Sequence, residues 1–164
     1  MKISIQSLKP GVSVYKEKIK PDFIERNFGE FYPDEFQIDV LLDKIDRDFR
    51  VKISMQTMAH YMCDRCLNNF TVPFSAETEQ MYEIGDRPDS SGEDIIYIAP
   101  DETELDLKEL LNEAVVLNHP IKMLCREDCK GLCSKCGADL NVEQCKCQEA
   151  ETDPRWDELR KLIK

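Results

Sequence analysis

Eight cysteines in three groups constrain this chain more than any other feature. They stand as Cys63-x2-Cys66, then Cys125-x3-Cys129-x3-Cys133-x2-Cys136, then Cys145-x-Cys147. The segment Met1 to Pro10 has no uninterrupted apolar stretch and no small-residue cleavage site, so no secretory signal is read there. The expectation is therefore a cytoplasmic protein. In that compartment thiols stay reduced, and clustered cysteines bind metal or carry out redox chemistry rather than form a disulfide framework.

A structural zinc site takes four ligands, so Cys63, Cys66, Cys125, Cys129, Cys133, Cys136, Cys145 and Cys147 make two all-cysteine sites by count. Cys63-Asp64-Arg65-Cys66 falls between two strand-like runs, the position of a zinc knuckle at a hairpin tip. Gly131-Leu132-Cys133-Ser134-Lys135-Cys136-Gly137 reads as a second knuckle, with Gly137 supplying the positive φ such a turn needs. Two partitions remain open. Cys133, Cys136, Cys145 and Cys147 form one local site and the other four a second, or the two knuckles share an ion as in a zinc ribbon. Cys145-x-Cys147 is not knuckle spacing, so the chain must turn there for both to reach one ion.

The flanking body reads as strands. Phe36, Ile38, Val40 and Leu42 alternate with polar residues, as do Phe49 to Tyr61 and then Phe70 to Ile84. Three successive runs of period two predict an antiparallel meander with one buried face, with Pro73 placing its strand at an edge or bulge. Ile3, Ile5, Val12 and Val14, broken by Pro10-Gly11, suggest two short strands or a strand and a turn before it, and Ile95 to Ile98 a short buried strand after a loop at 85–93. Leu107, Leu110, Leu111, Ala114 and Val115 share a helical face, predicting a helix over about 106–118 with Asp106 as N-cap, Glu109 as its capping-box partner and Asn118-His119-Pro120 as its end. Asp153-Pro154 starts a short terminal helix bearing Trp156, Leu159 and Ile163. The expected fold is α+β: a β body over 1–120, an antiparallel meander or partly closed sheet with one packed helix, and a cysteine-rich zinc-binding tail over 121–164 ending in a helix.

Charge narrows the functional classes. The formal net charge is −11, and the excess lies in residues 61–124, which carry 4 basic and 14 acidic side chains. A broadly basic nucleic-acid surface is excluded by that balance, and no apolar run reaches the length of a membrane span. Catalysis finds no support: His60 and His119 stand outside zinc-hydrolase and deaminase motifs, and each reads as structural. Glu102, Glu104 and Asp106 suit Mg²⁺ but equally the start of a helix. Redox use of Cys63-x2-Cys66 lacks the helix that lowers a thioredoxin-like thiol pKa, leaving it the weaker competing reading.

Cys63-Asp64-Arg65-Cys66-Leu67, Asp106-Leu107-Lys108-Glu109-Leu110-Leu111-Asn112-Glu113 leading to Pro120, Cys129-Lys130-Gly131-Leu132-Cys133-Ser134-Lys135-Cys136-Gly137, Asp139-Leu140-Asn141, Cys145-Lys146-Cys147 and Asp153-Pro154-Arg155-Trp156 together resemble the YceD family, the large ribosomal RNA subunit accumulation proteins. The resemblance covers about residues 61–160. It implies a bacterial, cytosolic, non-enzymatic factor required for accumulation of large-subunit (23S) ribosomal RNA and for 50S assembly, acting on ribosomal RNA or a pre-50S particle. Arg65, Arg126, Lys130, Lys135, Lys146 and Arg155 are then the cations available for RNA or partner contact. The competing role for such cations is to offset the charge of the thiolates. The acidic middle third supports a different class of function, an adaptor that receives a basic large-subunit ribosomal protein.

Overall fold

The alternation of apolar and polar side chains from Phe36 to Ile84 sets the centre of the fold. The computed structural model describes residues 1–6, 8–86, 95–147 and 155. Its elements are β1 (Lys2–Ser4), β2 (Gly11–Ile19), a 3-10 turn (Pro21–Phe23), the one-turn α1 (Arg26–Gly29), β3 (Phe36–Ile45), β4 (Asp48–Met62), β5 (Asn69–Ile84), β6 (Ile95–Ile98), β7 (Glu104–Asp106) and α2 (Lys108–Asn118). The anticipated meander is β3-β4-β5. Phe36, Ile38, Val40 and Leu42 of β3 and Phe49, Val51, Ile53 and Met55 of β4 line its buried face.

The sheet differs from the expectation first in being mixed. Its order is β2-β3-β4-β5-β6, and β6 runs parallel to β5, pairing Met81 with Ile95 and Ile84 with Ile98. A hairpin after Ile84 would have made the pair antiparallel; Ile95–Ile98 instead runs alongside Met81–Ile84 in the same direction. The two outermost strands, β2 and β6, do not pair with each other, so the sheet does not close. β6 is also less buried than its composition suggests. Only Ile98 is inside, while Ile95 and Ile96 are exposed, because the strand borders the sheet with a neighbour on one side. Pro73 does lie where β5 is an edge, opposite Met58 and away from the short β6 ladder.

The second layer covers the apolar face. β1 pairs with β7, and the Leu107 N–H donates to the Met1 carbonyl (2.9 Å), bringing the chain start to the head of α2. α2 begins at Lys108, two residues later than predicted, because Glu104–Asp106 is drawn into β7. The N-cap is therefore Leu107, which has no side-chain cap bond, rather than Asp106; the Asp106 carboxylate, one residue earlier, still accepts the Lys108 N–H (3.0 Å). Leu107, Leu111 and Val115 are fully buried, each contributing about 1.5–3 kcal/mol by leaving water. The helix stops at Asn118 because His119 precedes Pro120 and is held extended (ψ 129°). Most of the terminal helix anticipated from Asp153, and most of the anticipated 85–93 loop, lie outside the described residues.

Two four-cysteine clusters as candidate metal centres

The β4–β5 hairpin carries the first knuckle at its tip. Its strands are 15 and 16 residues long, roughly three times the common length, and the ladder ends at Met62 opposite Asn69. Inside the tip the Cys63 N–H donates to the Asn68 carbonyl and the Leu67 N–H to the Cys63 carbonyl, both at 2.9 Å. The second knuckle repeats this residue for residue. Leu132 bridges Asp139, the Cys133 N–H donates to the Ala138 carbonyl (2.8 Å), and the Gly137 N–H to the Cys133 carbonyl (2.9 Å). The residue after the second cysteine is left-handed in both, with φ of 75° at Gly137 and 59° at Leu67. Gly137 was legible as that position. Leu67 was not, since a leucine there is strained by about 1–2 kcal/mol.

The sulfurs gather into Cys63, Cys66, Cys125 and Cys129, and Cys133, Cys136, Cys145 and Cys147, each set within 4.8 Å of one another. Of the two partitions open in the sequence, the structure takes the one with a local second site. Four sulfurs around a tetrahedral zinc, with Zn–S near 2.3 Å, stand about 3.75 Å apart. Cys63 to Cys129 is 3.8 Å and Cys66 to Cys125 is 3.7 Å, so two opposite edges of the first set already have that length. Cys133 to Cys145 is 3.3 Å and Cys136 to Cys145 is 3.4 Å, a tighter set that a zinc ion would spread by a few tenths of an ångström. Soft thiolate donors in a four-sulfur shell fit Zn²⁺.

Burial separates the two. Cys63, Cys66 and Cys129 are buried and pack with Phe70, Leu124 and Leu132, while Cys136 and Cys147 are exposed. In each, the first knuckle cysteine is an acidic thiol. Backbone N–H groups, of Cys125 first, hold Cys63 at about 6, and those of Cys136 and Lys135 do the same for Cys133, also at about 6. Burial, with the neighbouring thiols, pushes Cys125 up to about 12, and hydrogen bonding to Cys145 and Cys136 pushes Cys147 up to about 12. Four thiols so close cannot all ionise unaided, and a divalent cation removes that repulsion.

The segment supplying Cys125 and Cys129 is tied to the hairpin tip before its sulfurs meet. The Asp64 N–H donates to the Met123 carbonyl, and the Met123 N–H to the Asp64 carboxylate, both at 2.8 Å. Arg65 donates to the carbonyls of Cys129 (2.8 Å) and Glu127 (3.2 Å). Its guanidinium thus holds the backbone of the segment that supplies Cys129. Arg126 donates to Asn141 (2.7 Å) and pairs with Asp128 (3.4 Å). Lys130, Lys135, Lys146 and Arg155 have exposed side chains. Below the tip, buried Tyr32 places its hydroxyl 2.8 Å from that of Tyr61 and 2.9 Å from His119 Nδ1. Phe28 and Phe31 stack around the same imidazole. His119 therefore closes an aromatic junction, and His60 pairs with Asp34 on the surface (3.0 Å).

The carboxylates read as a Mg²⁺ option do not converge: among the described residues, the two cysteine sets are the groups whose ligand atoms do. Glu104 pairs with Lys2 (3.1 Å). Glu102, Glu104, Asp106, Glu109 and Glu113 instead line a groove of about 380 Å³ between β6 and α2, with Tyr82, Ile96 and Leu110 as its apolar floor. Burial, followed by the charges of Glu109 and Glu113, pushes the Tyr82 hydroxyl up to about 12. Among the described residues no helix is long and apolar enough to cross a membrane.

The family described as large ribosomal RNA subunit accumulation protein YceD matches residues 51–163, a span containing all eight cysteines. The chain is 26% identical to the Arabidopsis thaliana protein called "Large ribosomal RNA subunit accumulation protein YCED homolog 1, chloroplastic", over 80% of this chain and 50% of that one. It is 32% identical to an uncharacterized protein of Mycobacterium tuberculosis over 62% of this chain and 49% of the other, and 27% identical to one of Mycobacterium leprae over 77% and 58%. The chain spans about half the length of the curated relatives it matches. No solved structure matches it.

Proposed function

The chain belongs to the YceD family, and from that premise we propose that it is a non-enzymatic, zinc-binding ribosome-biogenesis factor of the bacterial cytoplasm that supports accumulation of 23S ribosomal RNA and assembly of the 50S subunit. The observation carrying this reading is that the family match contains both cysteine clusters and helix α2. Zinc fits the four-sulfur shells, and its role is to staple residues 121–147 to the hairpin. Lys130, Lys135 and Lys146, exposed around the clusters, are the side chains that would meet RNA or a pre-50S particle. Depleting the protein tests the reading: 23S RNA should fall relative to 16S RNA, and unchanged 23S levels would overturn it.

A second reading has an observation of its own. The groove of five carboxylates over an apolar floor suits the aliphatic stem and charged head of lysine or arginine, supporting an adaptor for a basic large-subunit ribosomal protein. In-cell crosslinking separates the two. Abundant ribosomal RNA crosslinks support direct RNA contact, and a ribosomal-protein partner that survives nuclease supports the adaptor.

A further inference from the structure

Asn141 belongs by position to the second cluster, lying between Cys136 and Cys145, yet its side chain faces the first. Its Nδ2 stands 3.5 Å from Cys129 Sγ and 2.7 Å from Asp139 Oδ1. Its Oδ1 accepts from the Lys130 N–H (2.8 Å) and from Arg126 Nη2 (2.7 Å). Two donors and two acceptor positions are the whole capacity of a carboxamide, and all are used. Only one orientation of the amide fits, since turning it over would set oxygen against sulfur and carboxylate and NH2 against two donors.

The surrounding contacts bind the same two loops. The Leu132 N–H donates to the Arg65 carbonyl (3.0 Å), and Asn68 donates to Asp139 (3.2 Å). At Gly131 the approach is close enough that a Cβ would stand 2.9 Å from the Arg65 carbonyl oxygen. Every partner of the Asn141 side chain except Asp139 lies between Arg126 and Lys130, the stretch that supplies Cys129.

We propose that the two clusters form one coupled metal-binding unit in which Asn141 is the positioning residue. It is held in place by the loop the second cluster folds and donates a hydrogen bond to a sulfur ligand of the first. A donor to a thiolate disperses its charge and fixes its direction, and losing such an outer partner typically costs 10- to 100-fold in metal affinity. Closing Cys136 and Cys145 on a metal holds the Asn141 loop, so occupancy of the second site strengthens the first. By linkage the first strengthens the second equally.

The experiment uses the full chain loaded with zinc, challenged with a chromogenic chelator. Zinc content measured before the challenge tests the zinc reading separately. Two release phases are expected, a fast one from the exposed cluster and a slow one from the buried cluster. Asn141→Ala should speed the slow phase by about 10-fold. Asn141→Asp is the discriminating variant, because it keeps the acceptor oxygen for Lys130 and Arg126 but removes the donor to Cys129. It should lose slow-phase retention as Asn141→Ala does, and with cobalt in place of zinc it should shift the sulfur-to-metal charge-transfer band. A wild-type slow phase and spectrum in Asn141→Asp would overturn the donor role. Cys136→Ser combined with Cys147→Ser should speed the slow phase as well, and an unchanged slow phase there would overturn the coupling.

Discussion

The two cysteine clusters share one backbone device and differ in what surrounds it. Residues 63–68 and 133–138 make the same pair of hydrogen bonds at the same positions, yet the first cluster is buried and the second half open to solvent. The first stands on a long strand pair and is completed by sulfurs 66 and 59 residues away. The second is completed by neighbours 12 and 9 residues on. Closing the longer loop removes about 1.5 kcal/mol more chain entropy from the unfolded state than closing the shorter. A knuckle is therefore a local motif whose energetic weight is set by where its remaining ligands come from.

The largest break in this comparison is a ligand swap. Cys66→Ser, in the buried cluster, should cost about 3 kcal/mol or more, with loss of its metal and of the docked 121–130 segment. Cys133→Ser should release its own ion and unfold the second loop while the β3-β4-β5 meander keeps its melting transition. Far-UV circular dichroism melts of the two variants check the contrast, and equal loss of the β signal would contradict it.

Glycine substitutions give the next effect. Gly131 and Gly137 both have positive φ, 74° and 75°, but a Cβ at 137 meets nothing within 4 Å, whereas one at 131 meets backbone. Gly137→Ala should cost about 1 kcal/mol from its φ alone. Gly131→Ala should cost roughly twice that, because the Arg65 carbonyl must move as well. Denaturant midpoints measure both, and similar shifts would show that the loops are not in close contact.

Most of the body was legible in the sequence. The inner-face residues of β3 and β4 follow a period-two pattern long enough to leave one choice of face, and Leu107 to Val115 do the same at helical period. What was illegible depended on contacts between distant segments. Nothing in Cys145-x-Cys147 says which sulfurs it joins, so the partition needed the fold. The direction of β6 depends on a connection with no apolar pattern, and the apolar run Ile95–Ile98 hid a half-exposed edge strand. The backbone bonds of Arg65 were illegible because its two carbonyl partners come from a segment about 60 positions later. Asn141 was visible only as part of Asp139-Leu140-Asn141. Its turn bond to Asp139 is local, while its bond to Cys129 is not. Tyr32 carried no signal, since its partners Tyr61 and His119 lie on other elements.

Leu67→Gly sharpens the comparison by making the first knuckle like the second. Leu67 is more than half exposed, so little burial is lost while the left-handed strain is relieved, and the melting midpoint should rise by an amount worth up to about 1 kcal/mol. The smallest effect is one of pH at the junction beneath the buried cluster. Burial holds the His119 pKa below its ordinary 6.5, so the unfolded chain takes up a proton there before the fold does. Stability present above that value is lost as pH falls through it, and stops falling once the lowered folded value is passed. His119→Asn should flatten this part of the melting-temperature profile between pH 7 and pH 5.

The most direct test of two separate sites is native mass spectrometry of the purified chain. Close to two zinc ions per chain are predicted for the wild type, one for the variant carrying Cys136→Ser and Cys147→Ser, and a retained meander in both. A folded wild-type chain without metal, or loss of both ions from that variant, would contradict it.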